Sequence, residues 1–235
     1  MSLETDIQSR LEEVRSRIGL AAAAAGRQAD EIRLVAISKT FGLEHIRAAV
    51  AAGQKDFGEN RVQEALQKIE GSSDLLIRWH LVGSLQSNKA RKAAETFSWI
   101  HAVDRLDLLQ RLDSAAFQAG TQPKLLVQVD LAGEATKHGA PPSAVPALFE
   151  AARSCQAVQL VGLMVLPPWF DDPNGSRPYF RQLRELRDRL RAGGVPDEML
   201  QELSMGMSHD FEAAVQEGAT MVRVGTAIFG RRISS

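Results

Sequence analysis

The chain is dominated by one repeat: eight short apolar runs, each set off from the next by a helical segment. The runs read as strands over 33–38, 55–59, 78–84, 99–103, 124–130, 159–166, 202–208 and 221–226. The intervening stretches 43–52, 61–70, 105–119 and 210–217 have helical periodicity and stop at Gly53, Gly71, Gly120 and Gly218. Mostly apolar strands are those covered on both faces, as in a parallel sheet, and the helical connections are long enough for right-handed crossovers. A closed barrel and an open doubly wound sheet both satisfy this rhythm. Eight units over roughly 200 residues match the barrel, and no GxGxxG follows the first run, so the dinucleotide-binding form of the open sheet lacks its signature. The expectation is a single α/β domain over 1–235, a (β/α)8 or TIM barrel. An additional helix over 3–25, apolar at Leu3, Ile7, Leu11, Val14 and Ile18, is expected to close its bottom.

Composition excludes several classes. With 44% hydrophobic and 24% charged residues the chain has an ordinary globular make-up, not that of a disordered one. A net charge of -1 gives no global pull toward nucleic acid or an anionic membrane. The basic run Asn88–Lys92 reads as a solvated helix start. The lone cysteine, Cys155, excludes an internal disulfide or a multi-cysteine metal site, and the five histidines form no ligand pattern. No apolar run has the roughly 18 residues of a membrane span, and the N-terminus lacks the layout of a signal peptide. A soluble, cytoplasmic protein is expected.

In a barrel, chemistry collects where strands end at their C-terminal side. Those positions hold Ser38-Lys39-Thr40, Glu59-Asn60-Arg61, Ser84, Asp104, Asp130, the Pro-rich loop 167–175, Ser208-His209-Asp210 and Gly225-Thr226. Lys39, one of seven lysines, follows an apolar strand. Packing its stem would dehydrate the amine, lower its pKa and leave it nucleophilic; the plainer reading is a lysine snorkelling from the mouth. After strands seven and eight, Ser208, Gly225 and Thr226 combine a hydroxyl with backbone N–H groups suited to an anion, and Ser208-His209-Asp210 opens a helix. Arg223 lies on the same strand face as Gly225. An inward arginine needs an acceptor, which is either a ligand atom or a barrel carboxylate such as Glu59. A lysine amine beside a phosphate nest is what pyridoxal phosphate requires. His80 and His101 lie within strands and read as satisfied core histidines.

At these residues the sequence resembles a known family. The stretches LVAISKT around Lys39, DFGENRVQEA from Asp56, WHLVGSLQSNK from Trp79, TKHG from Thr136, GLM from Gly162, SRPYF from Ser176, ELSMGMSHDFEAAV and ATMVRVGTAIFGRR occur in family order. They are similar to those of the pyridoxal-phosphate-binding homeostasis proteins (the YggS/PROSC type), whose fold is similar to the barrel domain of alanine racemase, fold-type III among proteins using this cofactor. The resemblance implies that Lys39 forms the Schiff base with pyridoxal 5'-phosphate and that Ser208, Gly225 and Thr226 hold its phosphate. It also implies that Arg223 faces the pyridine nitrogen, that Asn60 lines the pocket, and that His80 and Met164 lie near the ring. Lys137, in TKHG, is a candidate for a second, transferring amine, against the plainer reading of a loop lysine. Arg61 stands where many relatives carry Tyr and Ser84 where some carry His, which bears on fine specificity at the pocket mouth.

Two functions of different class follow. One is a non-enzymatic carrier that buffers the cofactor on Lys39, maintains vitamin B6 and amino/keto-acid balance, and passes cofactor to apo-enzymes. The other is a racemase-like enzyme, which needs acid/base groups on both faces of its substrate. Lys39 could serve one face, with His209 the best spare candidate for the other. The sole tyrosine, Tyr179, does not match a racemase base, and the chain is expected to lack the second domain that completes such a site in a dimer; a monomer is therefore expected. A barrel binding another phosphorylated ligand, without a covalent role for Lys39, is a third reading. Neither nucleic acid nor membrane is an expected partner.

Overall fold

The computed structural model describes residues 2–133 and 138–230. Eight parallel strands close into a barrel in chain order: β1 (Arg33–Ile37), β2 (Asp56–Glu59), β3 (Arg78–Leu81), β4 (Trp99–Val103), β5 (Lys124–Val129), β6 (Gln159–Val165), β7 (Glu202–Met207) and β8 (Met221–Val224). Closure is direct: Val35 pairs with Arg223 and Ala36 with Val224 across the β1–β8 seam. The alternating pattern therefore makes the closed barrel and not the open sheet. The strands are buried almost throughout, as a sheet with side chains filling its lumen and helices outside must be.

Several expected strands stop short. Gly83, Ser84, Leu166 and Thr226 lie beyond the ladder, because apolarity continues into the top loops after the inter-strand hydrogen bonds have ended. At β7 the pairing slips between Ser204 and Met207. Gly206 sits there at φ 91°, where a Cβ would meet Ala214 Cβ at 2.5 Å, so only glycine lets this strand pass beneath the following helix.

The outer layer contains α1 (Leu3–Ala24), α2 (Leu43–Ala51), α3 (Val62–Glu70), α4 (Ala90–Thr96), α5 (Leu106–Ala119), α6 (Val145–Ala152), α7 (Arg177–Ala192), α8 (Phe211–Gln216) and the four-residue α9 (Thr226–Phe229). α1 is capped by Ser2, whose hydroxyl accepts the Thr5 N–H at 3.2 Å. It buries Ile7, Leu11, Val14, Ile18, Ala21 and Ala22 at alternating spacings of four and three, while Leu3 stays exposed.

The position of α1 corrects one expectation. It does not close the bottom but lies on the flank, packed against α2, α8 and α9. Arg17 reaches Glu212 on α8 at 2.6 Å, and Arg15 donates to the Ala52 carbonyl after α2 at 3.0 Å. Since α9 is a single turn, α1 covers the stretch of the ring that a full helix after β8 would occupy. The bottom instead presents Arg33, Arg78, Trp99 and Lys124 around an open depression.

Candidate functional site

A cavity of about 610 Å3 opens at the C-terminal ends of the strands. Lys39, Asn60, Ser208, Arg223, Gly225 and Thr226 all line it, so six of the eight residues singled out in the sequence share one wall. His80 and Met164 do not line it: both are fully buried within the barrel below, against the expectation that they approach a ring in the pocket. His80 stacks on Trp99 with ring centroids 5.4 Å apart and touches Asp56 and His101, which is the core-histidine reading. Lys137 lies outside the described residues.

Lys39 is half-buried, two residues past the end of β1, and the backbone on both its sides is fixed. Ser38 is fully buried; its hydroxyl donates to Glu59 Oε1 at 2.6 Å and its carbonyl accepts from Lys68 Nζ at 2.8 Å. On the other side Thr40 adopts φ 70°, a left-handed conformation costing a side-chain-bearing residue about 1–2 kcal/mol. Its N–H donates to Glu64 Oε1 at 2.6 Å, which holds it there. Lys68 joins the two halves, bonding Glu59 at 2.7 Å and Glu64 at 2.9 Å. Burial pushes the Glu59 carboxyl up, opposed by the hydrogen bonds from Lys68 and Ser38. Charge pattern alone gives Lys68 the look of a solvated helix residue; only the fold shows it facing inward.

Beside Lys39 the end of β8 forms a cradle. Ser208 Oγ accepts the N–H of Gly225 at 3.0 Å and of Ala227 at 3.4 Å, so its own hydrogen is available to a ligand. A Cβ at Gly225 would lie 3.3 Å from the Ile37 carbonyl oxygen, so the glycine lets the ends of β8 and β1 approach closely. The expected helix opening at Ser208 is shifted: α8 starts at Phe211, and Asp210 is occupied in accepting the Met207 N–H at 2.7 Å. The polar groups gathered at the end of β8, the Ser208 hydroxyl and Thr226, thus face the cavity in place of the start of α8.

Arg223, 3% exposed, donates to Ser204 Oγ at 2.6 Å and to the Val165 carbonyl at 2.9 Å. Glu59 is held instead by Lys68 and Ser38, so the Arg223–Glu59 ion pair weighed from the sequence is not formed. Burial pulls the guanidinium down to about 10, eased by the Asp210 charge, and it stays charged at neutral pH. At the cavity rim Trp169, 70% exposed, stacks on His209 at 4.5 Å.

The fold and site define a class: a parallel barrel with a lysine past its first strand, a serine and a glycine meeting after its last two, and a buried arginine on the last strand itself. Residues 10–232 match the family model for the alanine racemase N-terminal domain. Over 223 residues the chain is 44% identical to the pyridoxal phosphate homeostasis protein of Aquifex aeolicus, covering 95% of this chain and 97% of that one. Identity to its Pseudomonas aeruginosa counterpart is 46% over 227 residues, 96% of each chain. PipY of Synechococcus elongatus, solved with PLP bound, superposes with a TM-score of 0.85 at 43% identity, covering 95% of this chain and 100% of that one. Alanine racemase of Clostridium difficile shares the fold alone, at 15% identity and a TM-score of 0.72, with 98% of this chain spanning 58% of the enzyme. The chain belongs to the pyridoxal phosphate homeostasis protein family.

Proposed function

We propose that this protein binds pyridoxal 5'-phosphate on Lys39 and acts as a cytoplasmic carrier and buffer of the cofactor, serving vitamin B6 and amino/keto-acid homeostasis and supplying apo-enzymes. The observation that carries the reading is the convergence in one cavity of Lys39, the Ser208–Gly225 cradle and Arg223, from three neighbouring strand ends. A lysine for covalent attachment, a polar cradle that would take the phosphate and a cation that would sit toward the ring nitrogen form the donor set this cofactor calls for. When bound, the cofactor supplies an electrophilic aldehyde carbon and an electron-withdrawing ring.

The residues favour holding over turnover. Ser208, Gly225 and Thr226 would hold the phosphate, through the two hydroxyls and the close backbone approach that the glycine allows, and Asn60 would line the space for the ring. Arg223, a buried permanent cation, would disfavour protonation of the ring nitrogen and so weaken the ring as an electron sink. For racemase chemistry His209 would have to present a free nitrogen opposite Lys39. Its ring stacks on Trp169 at the rim and its Nε2 lies 3.1 Å from the Asp171 carbonyl, which engages that nitrogen away from Lys39. Tyr179 packs on Phe170. The protein is proposed to act as a single domain and a monomer, without nucleic-acid or membrane partners; among the described residues no helix is long and apolar enough to cross a membrane.

The test is the absorption spectrum of the protein with pyridoxal 5'-phosphate, before and after borohydride, with mapping of the modified residue. A visible band that collapses and leaves a pyridoxyl group on Lys39 supports the reading; a colourless, unlabelled protein overturns it. Rapid Lys39-dependent α-proton exchange on amino acids would favour the enzyme instead.

A further inference from the structure

Beneath the cavity a file of polar side chains crosses the barrel lumen. Asp56 opens β2, His80 lies on β3, His101 on β4, Ser204 on β7 and Arg223 on β8, and all five are buried. His80 Nε2 is 3.0 Å from Asp56 Oδ1. His80 Nδ1 is 3.0 Å from His101 Nε2, His101 Nδ1 is 3.0 Å from Ser204 Oγ, and Ser204 Oγ is 2.6 Å from Arg223 Nη1.

Donor chemistry gives the file one direction. A carboxylate only accepts, so His80 carries its hydrogen on Nε2. His80 Nδ1 is then an acceptor and takes the hydrogen of His101 Nε2. That leaves His101 Nδ1 bare, and the Ser204 hydroxyl donates to it. With its one hydrogen turned toward His101, Ser204 faces Arg223 with lone pairs alone. In the opposite His101 tautomer the bare His80 Nδ1 and a bare His101 Nε2 would face each other at 3.0 Å with no hydrogen between them, a repulsive contact. Burial holds both imidazoles below their usual range, His101 well below it, in keeping with two neutral rings. Asp56 is itself fixed as an anion by Arg78, whose Nε and Nη2 lie at 2.7 and 2.6 Å.

We propose that Asp56 is a positioning residue for Arg223, acting through His80, His101 and Ser204, so that a carboxylate at the far mouth of the barrel sets the aim of the guanidinium in the pocket. Apolar side chains would fill this lumen without any polar group to satisfy, and a buried polar file is tolerable only when every member is partnered. Here each link is made, and each depends on the tautomer of the one before it. The inference rests on the proposed function only for its second readout.

The first readout uses cofactor-free protein labelled with 15N in histidine and arginine. Both imidazoles are expected as neutral Nε2–H tautomers in the unsubstituted protein. Asp56→Ala, which does not touch His101, is expected to mix the His101 tautomers and move the Arg223 side-chain resonances. Asp56→Asn, which keeps an accepting oxygen, is expected to restore the original pattern. An Nδ1–H tautomer at either histidine, or His101 and Arg223 signals unmoved in folded Asp56→Ala, overturns the relay. If Asp56→Ala does not fold, Ser204→Ala tests the other end: His101 Nδ1 and Arg223 are expected to shift together, and no shift overturns it. The second readout adds pyridoxal 5'-phosphate. Asp56→Ala is expected to displace the visible band and Asp56→Asn to leave it in place; an identical band in both counts against the relay. A protein that develops no band fails the cofactor reading, while the tautomer measurement still decides the relay.

Discussion

Lys68 Nζ donates to the carbonyl of Ser38 at 2.8 Å, which places a buried ammonium directly behind the peptide that leads into Lys39. Its other bonds, to Glu59 and Glu64, make it the hub of the strand end. Replacing it strands Glu59, which is fully buried and whose Oε2 already has no hydrogen-bond partner. Removing one partner of a buried ion pair costs about 3–5 kcal/mol. Lys68→Met is therefore expected to lower the thermal midpoint clearly and weaken pyridoxal 5'-phosphate binding roughly tenfold, about 1.4 kcal/mol. Adding Glu59→Gln removes the orphaned charge, so melting of the double variant is expected to recover most of the stability and little of the affinity.

Gly225 makes a separate prediction about affinity. A larger side chain there meets the Ile37 carbonyl and parts the ends of β8 and β1. Gly225→Val is expected to weaken binding at least about tenfold, or 1.4 kcal/mol, seen by titration followed at the visible band, while circular dichroism shows the barrel retained. Unchanged affinity would remove the cradle from the anion site.

Stability should depend on pH through His80 and His101. Both have folded-state values lowered by burial. Below about pH 6.5 the unfolded chain protonates these imidazoles and the folded one does not. The unfolded state then binds more protons, so the contribution is complete above that pH and is lost as pH falls. The slope approaches about 1.4 kcal/mol per pH unit for each ring. Thermal midpoints measured from pH 8 to pH 5 should fall on the acid side, and less steeply in His101→Asn.

Asp113 ties down the approach to β6. One of its oxygens accepts the N–H groups of Gln156, Ala157 and Val158 at 3.0, 2.8 and 3.1 Å. Asp113→Ala leaves those donors without a side-chain acceptor and is expected to cost about 2 kcal/mol in denaturant melts. Asp113→Asn, which keeps one accepting oxygen, should recover part of that.

The barrel was legible because its signal is periodic: eight apolar runs with helical spacers admit few closures, and Lys39, Ser208, Arg223 and Gly225 fall where strand ends must meet. What stayed hidden depends on contacts between distant strands. Lys68 sits in a charged helix and is marked as internal by Glu59 and the Ser38 carbonyl, nine and thirty residues away. His80 satisfied two readings, and the choice turned on Asp56 and His101, which nothing in the local pattern joins to it. The place of α1 was likewise unreadable, since an apolar stripe says that a helix is covered and not by what.

That place has a consequence for how the chain comes to be folded. A helix made before all eight strands completes its contacts with elements made after seven of them, as in the ion pair from Arg17 to Glu212, 195 residues apart. Contacts of such separation form slowly because a long loop must close first. An emerging chain thus carries Ile7, Leu11, Val14 and Ile18 without their final cover until β8 has left the ribosome. Closure waits for β8, and α1 is the part most in need of shelter until then.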